Sequence, residues 1–146
     1  LYRIEPDGAA TRIADGIIAS NGPSFSPDGR IMYHTDSHGG TIWAYDIDPD
    51  SGTASNRRVF VRIPRADGAP DGSTVDAEGH LWTAHWGGRR VTRFAPDGIV
   101  LCPSFFEAGR YTASGIQVPP GDWKLTVTAY VTDVDAVTAS ASVRVG

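Results

Sequence analysis

The chain has 146 residues, the size of one ordinary domain, and its 13 lysines and arginines stand against 17 aspartates and glutamates. That slightly acidic balance argues against nucleic acid or an anionic membrane as the main partner, since both attract a basic surface. Hydrophobic residues make up 40%, enough for a core, and 17 glycines, 10 prolines and 4 tryptophans suit short strands and tight turns rather than helices.

No apolar run approaches the roughly 20 residues that a membrane helix needs. No signal peptide is visible ahead of the strand-like residues 1–4, but the true N-terminus can lie upstream, so the location stays open, with the cytoplasm favoured over the periplasm or secretion. Cys102 is the single cysteine and reads as a small core residue rather than a nucleophile.

In chain order, residues 1–4 read as a strand closed by Glu5-Pro6-Asp7-Gly8, and residues 91–94 as a strand closed by Ala95-Pro96-Asp97-Gly98. Arg, Pro, Asp and Gly recur at matching places 90 residues apart. Two units of about 45 residues fit between them, the period of four-stranded propeller blades. One unit reads in full as strand A at residues 23–26, B at 31–35, C at 41–47 and D at 57–63. The next offers 72–75, 80–84 and 90–94, and residues 10–13 fit strand D of an earlier unit. Hairpin turns alternate between the two ends of a blade. Asn21, Asp71, residues 37–40 and residues 85–88 therefore share one end. Asp28, Glu78, Asp46, Asp48 and Asp50 lie at or near the other.

After residue 98 the texture changes, and residues 99–115 have no clear counterpart in the repeats. Beyond the turn at Pro119-Pro120-Gly121-Asp122, residues 123–132 and 138–145 alternate apolar and polar side chains, which predicts an antiparallel pair joined through residues 133–137. This tail looks more like part of an immunoglobulin-type β-sandwich than a blade. The expected fold is all-β: a partial β-propeller of about two blades over residues 1–98, then a β-sandwich-like hairpin segment over residues 99–146.

Asp46, Asp48 and Asp50 resemble the start of a calcium loop. Ser51 holds the glycine position and Arg57 stands where the bidentate glutamate belongs, so an acidic surface turn is expected. The four histidines, 34, 38, 80 and 85, have no zinc-ligand spacing. His34 and His80 read as packing or surface residues, whereas His38 and His85 border B-to-C loops and can reach a ligand. No serine sits in a G-x-S-x-G elbow. Trp43, Trp82 and Trp86 are expected between blades, Trp86 alone opening toward a pocket.

Asn21 and Asp71 stand 50 residues apart at equivalent places before strand A. Asn-Gly and Asp-Gly are turn formers in their own right, and the glycine also admits close approach of the backbone. A carboxamide and a carboxylate repeated at one position equally suit a hard cation such as Ca²⁺, Mg²⁺ or Mn²⁺, with Zn²⁺ also accepting oxygen.

The ordered series Ser20-Asn21-Gly22, Ser26-Pro27-Asp28-Gly29, Tyr33-His34-Thr35-Asp36-Ser37, Ser55-Asn56-Arg57-Arg58, Pro70-Asp71-Gly72, Asp76-Ala77-Glu78-Gly79 and Leu81-Trp82 resembles the SMP-30/gluconolactonase/LRE family, also called regucalcin-like. The resemblance covers about residues 1–98 and leaves residues 99–146 unmatched. It implies a six-bladed propeller holding one divalent cation, Ca²⁺ first, with Zn²⁺, Mn²⁺ or Mg²⁺ as alternatives. It implies a small-molecule lactone or ester substrate, Asn21 and Asp71 as metal ligands, and Asp71 as the base that activates water. The family's third ligand, a glutamate near its N-terminus, has no counterpart here, since the glutamates are Glu5, Glu78 and Glu107. Substrate-positioning residues of the family's early blades are absent too. The expected function is a divalent-metal-dependent, gluconolactonase-like lactone hydrolase whose site is incomplete in this chain, a segment of a longer propeller. The alternative is a non-catalytic β-repeat binding module.

Overall fold

The computed structural model describes the backbone of residues 1–107, 110–113, 121–130 and 136–145, with side chains as far as Leu101. Turns ending in glycine punctuate the first hundred residues, and alternating side chains fill the intervals. β1 (Tyr2–Ile4) and β2 (Ala10–Arg12) form a hairpin. β3 (Ser20–Phe25), β4 (Ile31–Asp36), β5 (Thr41–Ile47) and β6 (Ala54–Arg62) form an antiparallel meander. A 3-10 turn at Arg65–Asp67 crosses to a second meander. This comprises β7 (Ala69–Val75), β8 (Leu81–Trp86), β9 (Arg90–Phe94), β10 (Val100–Glu107) and β11 (Arg110–Ala113). The architecture is all-β and propeller-like: one complete four-stranded blade, a second carrying an extra strand, and the last two strands of a preceding blade.

Period-two alternation buries both faces of the β3–β6 sheet. Tyr33, Ile42 and Ala44 pack with Ile63, Leu81 and Phe94 in the core toward the second meander. Met32 and Tyr45 turn the other way and join Ala14, with Leu1, Ile13, Trp43 and Ile47 around them. The Phe60 ring meets Tyr33 edge-on at 4.7 Å and Phe94 at 6.1 Å, which joins the aromatic side chains of the first core.

The second sheet does not stop at residue 98. β10 pairs antiparallel with β9, from Val100 opposite Phe94 to Phe105 opposite Arg90, and supplies the fourth strand of that blade. The compact unit runs from Leu1 to Gly115. A signal for this lies in the sequence: the 90-residue step that takes Arg3 to Arg93 also takes β2 onto residues 100–102.

The other unit, Ile116–Gly146, contains β12 (Gly121–Tyr130) and β13 (Ala136–Val145). They form a hairpin in unbroken register from Gly121 opposite Val145 to Tyr130 opposite Ala136. An immunoglobulin-type sandwich needs further strands; among the described residues this unit has the hairpin alone. Of the connection read at residues 133–137, Ala136 and Val137 already belong to β13, while residues 133–135, most of the turn before Asp122 and the packing of Cys102 lie outside the described residues.

Candidate active site

The first strand of each meander carries one residue more than its partner. In β3 the ladder pairs Asn21 with Thr35, then Ser24 with Tyr33; in β7 it pairs Pro70 with His85, then Ser73 with Thr83. Both are β-bulges, which re-aim a side chain near a strand end. The residues read as lying before strand A are thus inside it: Asn21 borders its bulge and Asp71 lies within its own. Gly22 takes φ +85°, a conformation open to glycine. Gly72 has ordinary backbone and empty space where a Cβ would stand, so close approach does not account for it.

The bulges bring the two side chains together. Asn21 Nδ2 donates to Asp71 Oδ1 at 2.6 Å and to Ser37 Oγ at 3.3 Å. Both Asn21 and Asp71 are half-buried. Ser24 Oγ donates to the Ser73 carbonyl at 2.7 Å, fastening β3 to β7 beside the pair.

Each approach to the pair is braced by a carboxylate. Asp36 is 5% exposed, and its Oδ1 accepts the backbone N–H groups of Ile18, Ala19 and Gly39 at 3.1–3.2 Å. Burial pulls its pKa up, but the three N–H donors outweigh that and hold it below the usual carboxylate value. Asp36 therefore ties the segment leading to Asn21 to the loop carrying Ser37. On the other approach, Asp67 pairs with Arg90 at 3.0 Å, and its carbonyl lies 2.9 Å from His85 Nδ1. No motif marked Asp36 or Asp67 for this bracing.

The histidines separate by burial. His85 is 7% exposed, and its Nδ1 is engaged with the Asp67 carbonyl, so it braces the crossing. His38 is exposed and lines a groove beside the pair. His34 is fully buried, with Nε2 2.8 Å from Ser20 Oγ. His80 precedes β8 and sits beside Asp76 and Glu78. Trp43 packs between the first two sheets, whereas Trp82 donates its Nε1 to Asp76 and Trp86 is 76% exposed at the groove.

Two other acidic clusters contrast with the pair. Asp48 Oδ1 caps its own turn by accepting Asp50 N and Ser51 N, while Asp46 binds Asn56 and Arg58, so the three aspartates do not converge. Asp76, Glu78 and His80 do bring ligand atoms within 4.8 Å of one another. Arg93 already fills that cluster, with Nε and Nη2 on Asp76 Oδ2 at 2.9 and 2.8 Å and Nη2 on Glu78 Oε2 at 2.6 Å. The guanidinium supplies there the positive charge an ion would bring. At Asn21 and Asp71 no cation of the protein competes among the contacts described. Their carboxamide and carboxylate are hard oxygen donors, the type a divalent cation of the Ca²⁺ or Mg²⁺ class takes, with the amide turned to present its oxygen. The donor chemistry fits such an ion, and two groups would fill only part of its coordination sphere.

Residues 1–104 match the family described as SMP-30/Gluconolactonase/LRE-like region. Over 99 residues the chain is 46% identical to an L-arabinolactonase of Azospirillum brasilense, a stretch covering 67% of this chain and 33% of that protein. Over 101 residues it is 38% identical to pentonolactonase XacC of Haloferax volcanii, covering 69% and 35% respectively. Among solved structures, a calcium-binding protein, regucalcin, from Agrobacterium tumefaciens matches with a TM-score of 0.64 at 32% identity, over 70% of this chain and 35% of that one. The chain spans about a third of the length of these relatives.

Proposed function

The chain belongs to the SMP-30/gluconolactonase/LRE-like family, and on that premise we propose that it supplies part of the active site of a divalent-metal-dependent sugar-lactone hydrolase. The observation that carries the reading is the meeting of Asn21 and Asp71, from two successive blades, at 2.6 Å. The lactonase names of two relatives and the calcium-binding description of the third support the substrate class and put Ca²⁺ first among candidate ions. A non-catalytic module gives this polar pair no task, and no observation favours it.

Asn21 and Asp71 would hold the cation through one oxygen each. When bound, the cation supplies positive charge that polarises the ester carbonyl. Asp71 takes a proton from water as the water oxygen adds to the carbonyl carbon, and returns it to the ring oxygen as the C–O bond opens. Without the cation, Asn21 Nδ2 holds Asp71 in place and donates to Ser37; with the cation, the same amide turns its oxygen to the ion.

The test is calorimetric titration of the chain with Ca²⁺, Mn²⁺ and Zn²⁺, beside a pH-stat lactonase assay. One carboxylate and one carboxamide are few ligands for ions that take about six or more oxygens. Weak binding and slow turnover are therefore expected. Asp71→Asn is expected to abolish both, and Asn21→Ala to weaken binding so that excess cation restores part of the rate. Tight binding and rapid turnover unchanged in Asp71→Asn would overturn the assignment.

A further inference from the structure

An open groove of about 380 Å³ lies beside the Asn21–Asp71 pair, between the loop after β4 and the crossing into β7. It reaches the pair through Ser37, which accepts from Asn21, and through Ala69, close ahead of Asp71 in the chain. Its volume falls within the range of small-molecule sites. Trp86 stands in its wall 76% exposed, an apolar surface with a polar tip. Its polar side chains are those of Ser37, His38 and Arg65. No carboxylate lines the groove, although the chain as a whole carries a net charge of −4. The Arg65 guanidinium has no hydrogen-bond or ion-pair partner among the described residues. A lactone ring placed at Asn21 and Asp71 would leave this groove free for whatever the ring carries.

We propose that the groove is a subsite for an anionic group at the end of the substrate remote from the scissile ester. This rests on the hydrolase reading above and narrows its substrate class to hydroxylated lactones bearing a second acidic function, a carboxylate or a phosphate. Arg65 offers the forked donors that match either oxyanion. Ser37 and His38 offer further donors, and Trp86 covers the carbon chain between the two ends. Charge complementarity selects the occupant: a neutral polyol gains nothing from Arg65, and a cation is repelled by it.

Glucitol, gluconate and glucitol 6-phosphate share one hydroxylated chain and differ at one end, where they carry a hydroxyl, a carboxylate and a phosphate. Their binding to the full chain is read by tryptophan fluorescence in EDTA, with Trp86→Phe locating the responding indole. Gluconate or glucitol 6-phosphate is expected to bind ~10-fold more tightly than glucitol, the scale of one charge-assisted contact. Whichever is preferred identifies the anion. Arg65→Gln is expected to bring that ligand down to the glucitol level and leave glucitol unchanged, with Arg65→Lys in between. Arg65 is exposed on a short turn, and far-UV circular dichroism checks that both variants fold. Equal affinities, no saturable binding by any of the three, or a preference that survives Arg65→Gln would overturn the subsite. Cation titration of Asp71→Asn reports separately on the hydrolase reading. An unchanged titration beside an Arg65-dependent preference would sink that reading alone, and the converse would sink the subsite alone.

Discussion

At Asp76, one carboxylate collects five donors: the backbone N–H groups of Glu78 and His80, the Trp82 indole and two nitrogens of Arg93. Its side chain is 25% exposed and that of Arg93 17%, so water screens the pair only partly. Burial pulls the Asp76 pKa up, but the Trp82, His80 and Arg93 bonds outweigh it and push the value far below 3.8. A carboxylate depressed on folding stabilises the protein fully above its unfolded value and loses that contribution as pH falls below about 3.8. Asp76→Asn is expected to cost ~1–3 kcal/mol at pH 7, because Arg93 keeps only the exposed Glu78 as a charged partner. The gap between wild type and variant should narrow as pH falls below 3.8. The Asp46–Arg58 pair is shorter, at 2.7 Å, yet its side chains are 46% and 39% exposed. Screening wins there, and Arg58→Ala is expected to cost below ~1 kcal/mol. Urea denaturation of the three proteins at pH 7 and pH 3 checks both expectations. Equal losses for the two variants at pH 7 would show that exposure does not rank these pairs. His34 and His85 add a second window with its own sign. Burial pushes both pKa values below 6.5, so the unfolded chain takes up protons first and stability falls as pH drops through that value.

The bulges in β3 and β7 show what a repeat can and cannot say about an element. A step of 50 residues takes Asn21 to Asp71 and Gly22 to Gly72. The hydrogen-bond ladder places the step differently, with Asn21 paired to Thr35 but Pro70, not Asp71, paired to His85. That one-residue offset lies in the register: both turns span five residues, 26–30 and 76–80, yet Phe25 pairs with Met32 and Val75 with Leu81. Sequence alignment of the repeats absorbs the offset silently; only the pairing reveals it. The two glycines should therefore respond differently to alanine. Gly22 at φ +85° places an added Cβ in a strained backbone, although its nearest neighbours would lie at 3.6 Å. Gly22→Ala is expected to cost ~1–2 kcal/mol from that strain. Gly72 has neither positive φ nor a neighbour within 4 Å. Gly72→Ala is expected to be neutral or to stabilise by up to ~1 kcal/mol by narrowing the unfolded ensemble. Thermal denaturation of the two variants decides; equal destabilisation would mean that the bulges are alike after all.

Across the whole molecule, what was legible in the sequence is whatever repeats locally. Glycine-ended turns and period-two alternation announce the strands, and the returning Asn-Gly and Asp-Gly announce a shared end. The pairing of Asn21 with Asp71 was legible as a position, whereas the carboxylates that brace it were not: Asp36 reaches the backbone of Ile18 and Ala19, and Asp67 the Arg90 side chain, both far from them in sequence. Arg65 at the groove was equally silent, since an arginine on a surface crossing has no pattern. The end of the second blade was hard to see because β10 lacks the sequence of β6 and only the 90-residue step onto β2 pointed to it; a strand's place is set by its neighbour more than by its own residues. That gives the boundary a direct test. Phe94 is 1% exposed and Val100 lies opposite it, so a chain ending at residue 98 loses the fourth strand and leaves β9 as a bare edge. A chain ending at residue 115 keeps every described strand of the first unit. Urea denaturation of the 1–115 protein is expected to match the first unit of the full chain within ~0.5 kcal/mol, the spread of changes that remove no packed group. The 1–98 protein is expected to unfold at distinctly lower urea, with faster amide exchange at Val91 and Arg93 on the uncovered edge. If the 1–98 protein is as stable as 1–115 and its β9 amides are as well protected, β10 is dispensable to the blade and the propeller segment ends at Gly98.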